Sequence, residues 1–283
     1  HKYSHMFMRS RTVQHRRRKL ILQYRWGLLP TNKLLSRYKL SNSDNCPLCN
    51  QPDGGHHALS ACPALSGAVT KRHNDAGSLI VQAIHNGNRA AELVMSGVGM
   101  SRRCAVMKGK YRIPKNVLPD DMPDGLKRRI RLRCKPDALM VKTEKNTRHY
   151  ELIEIKYCRD TDPTHQEHRA DRQHDRLMKM ISIFDPRADV KLTTIMLGVS
   201  GCIYRRTEQK LKGLGIQGAA LSGLLKRLHY MAAQHVEEIW NTRFAAIKNT
   251  RHYAISTWSK RKRDLHGQPM PDHRKRKKMK QLP

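Results

Sequence analysis

Two sets of residues in this chain have types and spacing that could do chemistry. The first is Pro136-Asp137, followed by Glu154-Ile155-Lys156. Two carboxylates brought to one place suit a hard cation such as Mg²⁺, which takes oxygen ligands and keeps several waters. An amine beside them can hold the attacking water or neutralise charge on a phosphate, so the chemistry would be metal-assisted phosphodiester hydrolysis. The second set is Cys46, Cys49, His57 and Cys62, spaced C-x2-C-x7-H-x4-C. Three thiolates and one imidazole fill a tetrahedral zinc shell and leave no open position, so this zinc would be structural. His56 competes with His57 for the nitrogen position, and His57 gives the commoner x4 gap to the last cysteine.

Both sets need elements to hold them. Asp137 falls in a strand-like run, Leu132 to Val141, and Glu154 and Lys156 fall in a second, Tyr150 to Tyr157. Between them Glu144-Lys145-Asn146-Thr147 predicts a hairpin turn. Side chains alternate along a strand, so Glu154 and Lys156 share a face with Tyr150 and Leu152. Paired as a hairpin, the two runs bring Asp137 near Glu154. Acids on apolar strands are costly to bury unless they have a task. A helix from about His165 to Phe184 follows, with Leu177, Met178, Met180 and Ile181 as core, and then an apolar third strand, Val190 to Val199. These elements predict an α/β core, a small mixed sheet flanked by helices.

The rest of the chain divides by composition. Residues 1–44 read as a basic helical linker, in which Arg16-Arg17-Arg18-Lys19 leads into Leu20, Ile21, Leu22, Tyr24 and Trp26 before Gly27 and Pro30 break it. Residues 45–64 are the Cys/His segment. Residues 65–250 form the main domain. Within it the pattern predicts a helix from Ala68 to Met95, interrupted or ended at Gly87 and Gly97. Pro114, Pro119, Pro123 and Gly125 mark a loop, and Thr207 to Asn249 reads as helix broken at Gly213, Gly215, Gly218 and Gly223. Residues 251–283 carry Lys260-Arg261-Lys262-Arg263 and Arg274-Lys275-Arg276-Lys277-Lys278 with few apolar residues, and are expected to be a disordered basic tail.

The 283 residues hold 56 Lys and Arg against 23 Asp and Glu, a formal charge of +33. That excess repels itself unless a polyanion neutralises it, which points to nucleic acid. No apolar run approaches the length of a membrane span, and no signal peptide leads the chain. The seven cysteines are an odd count, with Cys104, Cys134, Cys158 and Cys202 scattered outside the metal set. This is the usage of a reducing compartment, not of a disulfide framework. The chain opens on His1, and we read it as a piece of a longer polypeptide.

The order of these features resembles the C-terminal region of non-LTR retrotransposon proteins that carry a restriction-like endonuclease. The resemblance rests on the knuckle Cys46, Cys49, His57, Cys62; on Lys71-Arg72-His73-Asn74; on Pro136-Asp137 with Glu154-Ile155-Lys156; and on Ile195-Met196-Leu197-Gly198-Val199-Ser200-Gly201. It runs from about residue 28 to residue 216. It implies a restriction-endonuclease-like core preceded by a zinc knuckle. Asp137 and Glu154 would hold magnesium, with Lys156 as the third catalytic residue. It also implies nicking of a chromosomal DNA target in the nucleus, element RNA as a second partner, and a reverse transcriptase domain upstream. Candidate phosphate contacts are Lys71, Arg72 and His73, with Arg169 and Arg172 on the helix that also carries His165, His168 and His174. Glu92 is a further candidate metal ligand. The competing reading is a non-catalytic DNA- or RNA-binding module that keeps the knuckle and the basic surface.

Overall fold

The computed structural model describes residues 1–87, 92–98, 112–161 and 163–266; of residues 251–266 it describes the helical backbone. Cys104, Ala90 and the basic run Arg274 to Lys278 lie outside the described residues. Nine α-helices and four strands are described, in the order α1 (Met6–Arg9), α2 (His15–Arg25), α3 (Asn32–Arg37), α4 (Ser66–Gly87), β1 (Glu92–Ser96), α5 (Asp124–Arg133), β2 (Ala138–Glu144), β3 (Thr147–Cys158), α6 (Pro163–Asp171), α7 (Asp175–Phe184), β4 (Asp189–Gly198), α8 (Arg205–Gly213) and α9 (Gly218–His266).

The sheet is mixed, in the order β1-β2-β3-β4. The β1/β2 and β2/β3 pairs are antiparallel, while β3 and β4 run parallel. Lys145 and Asn146 both have positive φ, 46° and 63°, so β2 and β3 are joined by the two-residue turn whose twist matches the strands. A parallel pair needs a crossover, and α6 and α7 supply it between β3 and β4.

Alternation along the strands sorts the core into two layers. Ala138, Met140, Ile153, Ile155, Ile195 and Leu197 meet Ala76, Ile80 and Ile84 of α4 and Leu221, Leu224 and Leu228 of α9. On the opposite face Leu139, Tyr150 and Leu152 meet Leu177 and Ile181 of α7, together with Leu118, Met122 and Ile130. A separate cluster lies further along α9. There Val236, Ile239 and Trp240 pack with Phe7, Ile21 and Leu29, with Leu59 from the Cys/His segment and with Leu65 just after it. Within residues 1–44, Phe7, Val13, Leu20, Ile21 and Leu29 are therefore packed with α9, whereas α3 buries none of its residues.

Three elements differ from the sequence reading. Glu92–Ser96 is a strand, not the end of the preceding helix, and Leu93 to Ser96 are buried on both faces. A short run buried all round has no period to tell strand from helix. Asp124–Arg133 is a helix started by Pro123, where a loop running into a strand was expected; its last turn carries Arg131 and Arg133, which suit the helix C-terminus. Finally, α9 runs unbroken through Gly223 and on through residues 251–266, which were assigned to a disordered tail. Its stripe Leu221, Leu224, Leu225, Leu228, Ala232, Val236, Ile239 and Trp240 is buried at helical spacing, and tertiary burial outweighs one glycine. Among the described residues no helix is long and apolar enough to cross a membrane.

Candidate functional site

The segment after α3 folds back on itself. Cys46 N–H donates to the Gln51 carbonyl (2.7 Å) and Asn50 N–H to the Cys46 carbonyl (2.9 Å), with Asn50 in the left-handed region at φ 59°. This tight turn puts Cys46 and Cys49 on one side. His57–Ala61 then forms a single π turn, in which Cys62 N–H donates to the His57 carbonyl at 2.9 Å. That turn brings His57 and Cys62, five positions apart, to the same place.

The ligand atoms of Cys46, Cys49, His57 and Cys62 all lie within 4.8 Å of one another. Cys62 Sγ is 3.9 Å from Cys46 Sγ and 3.8 Å from Cys49 Sγ, and His57 Nε2 is 3.2 Å from Cys49 Sγ. A Zn–S bond of about 2.3 Å gives a tetrahedron an edge of about 3.8 Å, so these spacings fit a zinc ion. The group could bind zinc through His57. His56 lies outside it, with a buried Nδ1 that has no hydrogen-bond partner. Burial, then the charges of Arg159 and Arg72, push the His56 pKa down to about 4.

A long-range contact supports the cluster. Arg243 of α9 donates to Cys46 Sγ (3.2 Å) and to Asp53 Oδ2 (2.6 Å), and the same Asp53 oxygen accepts Asn32 N–H at 2.7 Å. Arg243 and Asp53 are both buried. Burial raises the Cys46 thiol pKa, but the backbone N–H of Leu48 and the Arg243 guanidinium outweigh it and leave the thiol below its ordinary value. Burial pushes the Cys62 thiol up to about 12.

The second set gathers where β2 parts from β3. The paired register ends at Ala138 opposite Ile153, so the Ile155 backbone has no β2 partner. The Asp137 carboxylate takes its place, with Oδ2 accepting Ile155 N–H at 2.7 Å. His73 of α4 closes the other half: its Nε2–H donates to the Ile155 carbonyl (3.1 Å) and to Asp137 Oδ2 (3.2 Å). Those contacts, Asp137 first, raise the His73 pKa against its burial. Glu154, 2 % exposed, points to the α7 layer, where His174 Nε2–H donates to Oε2 at 2.8 Å and Lys156 pairs with Oε1. Burial raises the Glu154 pKa, but His174 and Lys156 more than reverse it.

Asp137 thus sits beside the peptide between Glu154 and Lys156, and each acid is also held by a histidine from a different layer. Among the described residues, the Cys/His cluster is the one group of three or more candidate metal ligands. Magnesium at Asp137 and Glu154 is not supported by a grouping of that kind. Glu92 is exposed on β1, not on a helix.

The expected phosphate contacts separate. Arg72 is 1 % exposed and does not reach solvent. It donates to the Leu59 carbonyl (3.0 Å) and to Ser60 Oγ (2.8 Å) and stacks over Tyr157 at 4.2 Å, tying the Cys/His segment to the sheet. Lys71 is exposed but paired with Asp75 and Glu238, and His73 is taken up by Asp137. Arg169 and Arg172 are exposed. His174, expected on the same basic face, is buried against Glu154. Arg243 was missed; its signal is a charged residue continuing the buried α9 stripe one turn past Ile239 and Trp240. In comparison with known proteins, no family model matches the chain and no curated protein matches it.

Proposed function

We propose that this chain is a magnesium-dependent DNA endonuclease with a restriction-like core and a structural zinc knuckle, belonging to a non-LTR retrotransposon protein. The observation that carries the reading is the bond from Ile155 N–H to Asp137 Oδ2, which sets one carboxylate beside the peptide linking Glu154 to Ile155. Asp137 and Glu154 would hold the ion, and Lys156, on the Glu154 face, would position the attacking water. Arrival of a dication would release Lys156 from its pair with Glu154 and free the amine for that task. The four-stranded mixed sheet with helices on both faces supports the core assignment. The Cys3His spacings support the knuckle, and the charge of +33 supports nucleic acid as the partner. Chromosomal DNA in the nucleus, element RNA and an upstream reverse transcriptase domain complete the proposal.

The test is plasmid nicking with magnesium by the zinc-loaded chain and by Asp137→Ala. The reading requires nicking by the wild type and its loss in the variant. Equal nicking in both, or none in the wild type, removes it. A second reading, a nucleic-acid-binding module without catalysis, is favoured by one observation: both acids are already engaged, Asp137 by His73 and Glu154 by His174. It expects salt-sensitive binding with no effect of magnesium on the substrate.

A further inference from the structure

A cleft of about 410 Å³ opens between the Cys/His segment and the carboxyl end of β3, lined by Arg25, Lys33, His56, Arg159 and Asp160 among others. Open α/β sheets take ligands at this end of their strands. Its charges are unequally used. Arg25 is neutralised by Asp160 at 3.2 Å, and Asp160 also accepts Ser200 N–H at 3.1 Å. The side chains of Lys33 and Arg159 enter no ion pair or hydrogen bond among the described residues. The buried His56 Nδ1 is likewise unpartnered. The cleft therefore carries two cations without a partner among the described residues, a lining an anion would complete; the His56 nitrogen is sealed from solvent and is not part of it.

A second observation specifies the anion. Trp26 lies in sequence between the lining residues Arg25 and Gly27 and is 69 % exposed, and Tyr38, beyond Lys33 on the same segment, is 59 % exposed. Neither ring is in the lining itself, but exposed aromatic residues that flank cleft residues along the chain suit unpaired bases, because every base has a face to stack and every nucleotide a phosphate. We propose that this cleft holds an unpaired nucleic-acid strand, with a backbone phosphate between Lys33 and Arg159 and a base against the Trp26 indole. The inference rests on the nucleic-acid reading above, and it moves the contact surface from the α4 start to the knuckle–sheet junction.

The test is fluorescence anisotropy of the full zinc-loaded chain with a labelled single-stranded oligodeoxythymidylate and with a blunt duplex, across a salt series. Trp26→Ala weakens single-strand binding by about 5- to 150-fold and leaves the duplex unchanged. Lys33→Ala/Arg159→Ala lowers the single-strand salt slope by about 1.4, two contacts at about 0.7 each. Arg187→Ala/Lys191→Ala, exposed at the amino end of β4, leaves both as in wild type. If wild type binds but the cleft variants bind the single strand equally well, the site is overturned and the nucleic-acid reading stands. If wild type binds neither probe, that reading falls as well.

Discussion

Arg243 and Cys46 are 197 positions apart, and the guanidinium of one donates to the sulfur of the other at 3.2 Å. The Cys/His segment is therefore built into the fold, because its first sulfur is braced by the long C-terminal helix. Partners of this kind tune metal affinity and ligand orientation.

Arg243→Met should weaken zinc binding by about 10- to 100-fold, read by chelator competition. It also strands the buried Asp53 carboxylate, at a cost of about 3–5 kcal/mol in urea unfolding. Adding Asp53→Asn should recover part of that loss, since it removes the unpaired charge. Unchanged zinc affinity in Arg243→Met would refute the brace.

Arg72→Ala should act on stability and not on recognition. It removes two hydrogen bonds to the Leu59–Ser60 turn and the stack on Tyr157, worth about 1–3 kcal/mol. The salt slope of nucleic-acid binding should stay at the wild-type value, because a buried guanidinium contacts no phosphate. A slope reduced by about one would return Arg72 to the binding surface.

His229 links three segments in one protonation state. Phe7 N–H donates to its Nε2 (3.0 Å), so Nδ1–H donates to the Gly201 carbonyl (2.7 Å). Gly201 has φ 87°, and a Cβ there would lie 2.8 Å from the His229 carbonyl. Burial lowers the His229 pKa below 6.5. The unfolded chain thus binds the proton more readily, and the stabilisation is complete above pH 6.5 and lost as pH falls through the folded-state value. Urea midpoints should show wild type losing its advantage over His229→Gln as pH falls from about 8 to about 5.5. A gap that stays constant would contradict this.

Two glycines separate space from propensity. A Cβ on Gly77 in α4 would collide with Val98 Cγ1, whereas one on Gly223 in α9 meets nothing within 4 Å. Gly77→Ala should cost about 1–3 kcal/mol through overpacking. Gly223→Ala should add about 1 kcal/mol through helix propensity. Urea midpoints that move in the same direction would refute the close approach of Val98 to Gly77.

The parts legible in the sequence are those whose determinants are local. The Cys3His set needs one turn of chain and a π turn, and its spacing fits that. Lys145-Asn146 stands at a hairpin turn because Asn tolerates positive φ and the flanking runs alternate. The apolar run of β4 was readable for the same reason. What escaped depends on distant partners. Arg72 follows Lys71 in a basic stretch and reads as surface, yet Tyr157 and Leu59 bury it. Arg243 gains its meaning from Cys46 and Asp53. Glu92–Ser96 is a strand only because β2 lies beside it. His174 looked like one more basic residue on an exposed helix, and becomes the partner of Glu154 only when the crossover folds back over β3.

The central claim is that Asp137 and Glu154 share one divalent ion where β2 leaves β3. Its most direct measurement is Mn²⁺ binding by electron paramagnetic resonance, with the zinc-loaded chain bound to an uncut DNA duplex. The account predicts one tightly bound Mn²⁺ per chain that competes with Mg²⁺ and disappears in both Asp137→Asn and Glu154→Gln. The same stoichiometry in both variants, or no bound ion in the wild type, would contradict it.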